Sequence, residues 1–246
     1  AVLMNDQTIN VTNDYSKLAN KYSKSLIKDT GYLAFRDLPK IIFENNKGQL
    51  PSNALDYGCG TGRSTRFIKE LGIEHVVGID QSSDMIKIAN QNNDACEYLH
   101  ISNNQIPFSN NHFDCVISSF VMLEISTATE LLDIFININN TIKPGGFFTF
   151  VTNSEYLYNK NWVSNSTNYP ETKIFKDGEK LKIYLKNIDQ ELYDYYWSDK
   201  KYRELLKKAN FQSISCHSPI GMNEDLYDWI DELYYPPFSI YTAFKY

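Results

Sequence analysis

The sequence predicts an α/β protein built on a doubly wound, mostly parallel sheet, and three observations carry that reading. From Ala54 onward, short apolar runs alternate with amphipathic stretches long enough to cross over a sheet. A glycine-rich loop, GCGTG from Gly58 to Gly62, sits at the first junction between such a run and such a stretch. After Ser154 the alternation stops, which marks where the regular sheet gives way to something else.

Ahead of the sheet, the segment from Val11 to about Asn46 reads as a helical cap. YSKLANKYSKSL sets Tyr15, Leu18, Ala19, Tyr22 and Leu26 on one face. LAFRDLPKIIFEN gives a second helix, in which Pro39 marks either a kink or a first turn. ALDYG is then a strand and STRFIKELG a helix ending at Gly72; HVVGID is a strand, and SSDMIKIANQN a helix capped by Ser82 or Ser83. CEYLHI and FDCVISSF are strands, ATELLDIFININNTI a helix, PGG a turn and FFTFVTN a strand. Strands joined by helices of this length pair in parallel through right-handed crossovers.

In the remainder, KIFKDGEKLKIYL reads as a hairpin turning at Asp177-Gly178, and IDQELYDYYWS as a further strand. Ser198 caps a helix, DKKYRELLKKANF; QSISCHSP is a strand, NEDLYDWIDELYY a short helix and FSIYTAFKY the closing strand. The expectation is one domain over 1–246: a cap in 1–50, a core in 51–154, an inserted lid in 155–197, and the end of the sheet in 198–246.

Composition narrows the class. The chain has 246 residues, of which 42% are hydrophobic and 22% charged, ordinary values for a globular protein. The formal net charge of −6 and scattered lysines speak against holding nucleic acid through its phosphates. No apolar run reaches membrane-spanning length and no charged-then-apolar leader opens the chain; Met4 reads as the initiator. Cys59, Cys96, Cys115 and Cys216 lack metal-ligand spacing and read as reduced thiols of a cytoplasmic protein, so no metal is expected.

Glycine is costly in an ordered segment, so Gly58, Gly60 and Gly62 at alternate positions mark either a strand-to-helix turn or a ligand that approaches the backbone closely. Ligands of open α/β sheets bind at the carboxyl edge of the strands. Asp80 ends the next strand, where a carboxylate accepts both hydroxyls of a ribose, and an acid at a strand end fills no core. The spacing argues against a dinucleotide, because the third glycine of that fingerprint falls at Arg63. Adenosine without a pyrophosphate fits better.

In four segments the sequence resembles class I S-adenosylmethionine-dependent methyltransferases. LDYGCGTG looks like their first motif, GIDQSSDMI their second, IPFSNNHFDCVISSFVMLE their next strand region and IKPGGFFTF their fifth strand. The later part, with DYYWSDKKYRELLKKANF, is similar to bacterial small-molecule methyltransferases of the toxoflavin-synthase type. The resemblance implies a seven-stranded Rossmann-like sheet and S-adenosyl-L-methionine as cofactor. It also implies that Gly58 and Gly60 let the backbone pack against the methionine part, with Cys59 contributing a main-chain group. Asp80 would hold the ribose, Gln81 lie beside the adenosine, Met85 pack on the adenine face, and Ser119 approach from the end of the fourth strand. Where the family usually has aspartate to read the adenine amino group, this chain has Ser102, which accepts a hydrogen bond but carries no charge. Tyr22 and Arg36 either close over the methionine carboxylate, or sit in the apolar seam and on a solvated face respectively.

A base is needed only if the acceptor is protonated in its ground state. His75 and His112 precede strands and belong to the far edge, and His100 ends the third strand on the adenine side. His217, at the carboxyl end of a late strand, is either the base or a surface histidine before Pro219. Tyr156, Tyr158, Trp162, Tyr169, Tyr195, Tyr196 and Trp197 concentrate in the expected lid, where they either pack or line an apolar slot. The function expected is methyl transfer to oxygen or nitrogen of a small molecule. Its rivals are a catalytically silent cofactor-binding scaffold and an enzyme acting on nucleic acid or protein, the latter disfavoured by charge.

Overall fold

The computed structural model describes residues 27–92, 94–169 and 175–246. The helix expected over YSKLANKYSKSL, and Tyr22 with it, lies outside the described residues. LAFRDLPKIIFEN forms two helices, α1 (Tyr32–Phe35) and α2 (Leu38–Asn45), with Pro39 in the first turn of the second. A missing N–H is harmless at that position, because first-turn donors have no partner inside the helix.

Seven strands form the central sheet: β1 (Asn53–Tyr57), β2 (His75–Asp80), β3 (Glu97–His100), β4 (Phe113–Ser119), β5 (Ile142–Asn153) and, after an insertion, β9 (Gln212–His217) and β10 (Phe238–Phe244). Their order is β3-β2-β1-β4-β5-β10-β9, with β10 antiparallel to both neighbours and the first five parallel. The carboxyl ends of β1 to β5 and β9 therefore share one edge. The crossovers carry α3 (Arg63–Glu70), α4 (Ser83–Asn90), α5 (Ala128–Thr141) and α6 (Asp199–Lys208). Ser82 caps α4 by accepting from the Met85 N–H, and Ser198 caps α6 by accepting from Lys201.

The sheet is buried on both faces, and adjacent residues go to opposite cores. Ile117 and Phe147 pack with Leu33, Ile42 and Ile68; Val116 and Phe148 pack with Leu131, Phe135 and Leu206. This is the period-2 alternation of a strand covered on both sides. Among the described residues no helix is long and apolar enough to cross a membrane.

The insertion between β5 and α6 is a small antiparallel sheet of β6 (Asn165–Ser166), β7 (Lys180–Leu185) and β8 (Gln190–Tyr195). Its hairpin does not turn at Asp177-Gly178. KLKIYL pairs forward with QELYDY over six residues, from Lys180↔Tyr195 to Leu185↔Gln190, so the reversal falls between Leu185 and Gln190. Asp177 is committed elsewhere, its carboxylate accepting from the Ser198 N–H at 2.7 Å. NEDLYDWIDELYY likewise forms no helix beyond two 3-10 turns, Asn223–Asp225 and Asp231–Leu233. Leu226 turns the chain into the left-handed region (φ 61°), and the acidic side chains bond to backbone groups that a helix would have used.

One of those acids ties three segments together. Glu232 is fully buried and accepts from the Thr30 hydroxyl (2.7 Å) and from the N–H groups of Val163 (2.8 Å) and Ile230 (2.9 Å). Thr30 and Ser164 exchange a reciprocal pair of bonds at 3.1 and 2.8 Å. The approach to α1, the insertion and the β9–β10 connection thus meet over one end of the sheet.

Gly78 in β2 lies directly under the glycine loop. A Cβ there would come within 2.8 Å of Cys59 Cβ and 3.0 Å of Thr65 Oγ1. Gly78→Ala is expected to destabilise the protein by about 1–3 kcal/mol through overpacking, read as a lowered midpoint in chemical denaturation.

Candidate active site

The loop between β1 and α3 is built from positive φ angles at Gly58 (76°), Gly60 (55°) and Gly62 (90°). At Gly62 a side chain is excluded twice, by that angle and because a Cβ would lie 2.6 Å from the Tyr98 hydroxyl. The N–H groups of Gly58 and Cys59 both donate to the Ile79 carbonyl, at 2.8 and 2.9 Å, fastening the loop to the end of β2. Burial pushes the Cys59 thiol well up, with the charge of Asp80 acting in the same direction, so it is a packed thiol and no nucleophile.

Asp80 is fully buried. Its Oδ2 accepts from the Gly60 N–H and its Oδ1 from the Ser82 N–H, both at 2.8 Å. One carboxylate therefore fixes the glycine loop against the start of α4. Gln81 follows it, bonded through Nε2 to Asn104 Oδ1, which also accepts from the Tyr57 hydroxyl at 3.0 Å. His100 Nε2 meets the Gln81 carbonyl at 2.9 Å. Met85 is buried in the first turn of α4, and Ser102 is exposed just beyond β3.

Two buried polar atoms flank this loop without a hydrogen-bond partner among the described residues: Asp56 Oδ1, near the end of β1, and Ser119 Oγ, at the end of β4. Asp56 Oδ2 accepts from the hydroxyls of Ser64 (2.6 Å) and Thr65 (2.7 Å). Burial raises the Asp56 carboxyl to about 6 despite those two bonds, which pull it down. Asp56 is not among the site residues expected from the sequence; an acid one residue before the end of β1, at the mouth of the glycine loop, is the signal that points to it.

A family described as "Methyltransferase domain" matches residues 54–146. N-demethylindolmycin N-methyltransferase of Streptomyces griseus is 25% identical over 172 residues, spanning 67% of this chain and 72% of that protein. Malonyl-[acyl-carrier protein] O-methyltransferase of Buchnera aphidicola subsp. Baizongia pistaciae is 27% identical over 165 residues, spanning 65% of each chain. Among solved structures, the PH0226 protein from Pyrococcus horikoshii OT3 shares the fold, with a TM-score of 0.65 at 18% identity over 95% of this chain and 99% of that one. Residues 54–146 are thus a methyltransferase domain.

S-adenosyl-L-methionine is the cofactor that the sequence resemblance implies. The site suits it, because buried polar atoms without partners are rare in folded proteins and a polar ligand completes them. Ser119 Oγ and Asp56 Oδ1 stand on neighbouring strands, beside a loop whose glycines leave the backbone open.

Of the residues expected in the site, Gly58, Cys59, Gly60, Asp80, Gln81 and Met85 are brought together around the ends of β1 and β2, with Ser119 on the adjoining β4. Arg36 is not among them. Its guanidinium donates to Asp37 (3.0 Å), to Asp225 (2.9 Å) and to the Ile220 carbonyl (2.8 Å), so it clamps the β9–β10 connection. His217 joins the same cluster. Its Nε2 lies 2.8 Å from Asp37 Oδ2 on a half-exposed ring, two strands out from β5. That contact makes His217 part of a surface clasp, three strands away from Ser119. Asp37 is held below the usual carboxylate range by its bonds to Arg36 and His217, which outweigh the opposing effect of burial. Among the described residues no cluster of His, Cys, Asp or Glu has the makings of a metal site.

Asp80 carries more of the fold than its place at a strand end suggested, since two backbone donors depend on it. Asp80→Ala is expected to weaken S-adenosylhomocysteine binding by about 1–3 kcal/mol, and also to lower the melting temperature, because the N–H groups of Gly60 and Ser82 lose their acceptor. Titration calorimetry and thermal melting read the two effects separately.

Proposed function

We propose that this methyltransferase acts on oxygen or nitrogen of a small-molecule acceptor in the cytoplasm, with the inserted sheet serving as a lid. The observation that carries the reading is where the insertion sits. β8 packs against the 3-10 turn Met122–Glu124 that follows β4, and the Trp197 indole N–H donates to the Ile125 carbonyl at 2.9 Å. A covering layer thus begins within a few residues of Ser119, next to the cofactor loop. A cavity of about 180 Å³ opens beyond it, bounded by Asn153, Tyr156, Trp197, Cys216 and Tyr241. That space admits a compact acceptor, since a cavity of roughly 150 Å³ accepts benzene. Relatives support the substrate class: their names place the methyl on nitrogen in one and on oxygen in another, and demethylmenaquinone methyltransferase of Bacillus cereus is 30% identical over 141 residues. The acidic net charge argues against nucleic acid as the acceptor.

The cofactor supplies an electrophilic methyl group on a sulfonium, ready for in-line displacement. The protein's share is to hold the acceptor on that line and to keep water away, which the packed aromatic residues of the insertion do. Asp80 and the glycine loop fix one end of the arrangement, and the Glu232 clasp fixes the covering segments at the other.

Titration calorimetry with the purified protein is expected to show binding of S-adenosylmethionine and S-adenosylhomocysteine and no heat with NAD. Incubation with S-adenosylmethionine and a panel of small acceptors should release S-adenosylhomocysteine. Binding without release across the panel would identify a scaffold and contradict the proposal.

A further inference from the structure

The inner face of the inserted sheet carries one residue that packing alone does not explain. On β8 the buried positions are Leu192 and Asp194, and Leu192 joins Leu181 and Ile183 in the apolar core. Asp194 is 2% exposed. Its Oδ2 accepts from the Asn153 amide at 2.8 Å, and its Oδ1 is sealed from solvent with no hydrogen-bond partner among the described residues. No Lys, Arg or His of the described residues forms an ion pair with it. The rings around it are aromatic: Tyr158 is buried between Phe175 (5.1 Å) and Tyr196 (5.9 Å), and Tyr202 bonds to Thr152 at 3.0 Å.

Two features of its partner Asn153 link this acid to the site. Asn153 ends β5 two residues beyond Val151, the register partner of Ser119. Strand spacing and rise put the Cα of Asn153 about 8 Å from that of Ser119. Asn153 also lines the 180 Å³ cavity, so one amide connects the cavity to the acid.

In either protonation state the carboxyl is incomplete. Ionised, it is a buried anion with no cation and an oxygen lacking a donor; protonated, its hydroxyl lacks an acceptor. Burial raises its pKa to about 7, against the pull of the Asn153 bond. Buried charges are retained when something pairs with them. An alcohol supplies a donor and no charge, whereas an amine supplies both.

We propose that Asp194, held by Asn153, anchors the amine of a small, ring-sized acceptor and receives its proton. This rests on the methyltransferase reading above. The bound ammonium gives one proton to Asp194 Oδ1 and becomes a neutral amine. Its lone pair then forms the N–CH3 bond as the S–CH3 bond breaks, the bonding pair staying on sulfur, and the products are an N-methylammonium ion and a thioether. Asp194 loses its proton to solvent when the product leaves.

The test uses the full chain with phenethylamine, tyramine and tryptamine as probes and 2-phenylethanol as control. Calorimetry is run with S-adenosylhomocysteine present, and turnover with S-adenosylmethionine. At least one amine should bind and be methylated, and the alcohol should do neither. Asp194→Asn, which keeps the shape, should lower kcat/KM for that amine about 100-fold and abolish its calorimetric binding. Its S-adenosylhomocysteine affinity and melting temperature should not fall. Turnover of the alcohol alone, no amine bound while S-adenosylhomocysteine binds, or full amine activity in Asp194→Asn would each overturn the proposal. Failure to bind either sulfur compound would instead overturn the reading it rests on. The comparison of amines with the alcohol uses unaltered protein, so it stands whatever the variant does.

Discussion

The Asp80 carboxylate is the constraint on which the rest of the site depends. A single buried side chain accepts from Gly60 on one side and Ser82 on the other, joining the loop after β1 to the helix after β2. A buried carboxylate is tolerated where backbone donors replace its water. Those donors exist here because the loop takes left-handed angles that glycine adopts without strain, and because Ser82 turns its own backbone toward the acid while capping α4. Sequence, backbone conformation and charge are thus coupled at one point, and a ribose that bonds to Asp80 binds a group already fixed in place.

The acceptor side is organised differently. There the chain relies on contacts between segments far apart in sequence: Thr30 with Ser164, Glu232 with Val163, Arg36 with Asp225, and Trp197 with Ile125. These bonds hold three covering segments over a sheet edge that the parallel strands have already fixed. The division suits a fold that keeps one cofactor site and varies its acceptor, since the cover can change while β1, β2 and β4 remain.

That division also decides what the sequence discloses. The alternation of strands and helices, the glycine loop, Asp80 and the caps at Ser82 or Ser83 and at Ser198 are legible because each is set by residues within a turn or a crossover unit. For Arg36 and His217 the sequence leaves two readings open, because their partners, Asp225 and Asp37, lie 189 and 180 positions away. The Asp177-Gly178 pair looks like a hairpin turn by composition, yet Asp177 is drawn to Ser198, and the six-residue match between β7 and β8 sets the register. Glu232 and Asp194 carry no local signature at all; an acid in a polar, aromatic stretch discloses its burial only when the other segments are in place.

The central claim is that a prearranged Asp80 receives the cofactor ribose. The most direct measurement is a crystal structure of the protein grown with S-adenosylhomocysteine. The account predicts both ribose hydroxyls on the Asp80 carboxylate, the Gly60 and Ser82 bonds intact, and a new partner for Ser119 Oγ. A nucleoside bound away from the end of β2, or an Asp80 side chain swung out of its two backbone bonds to reach the ligand, would contradict it.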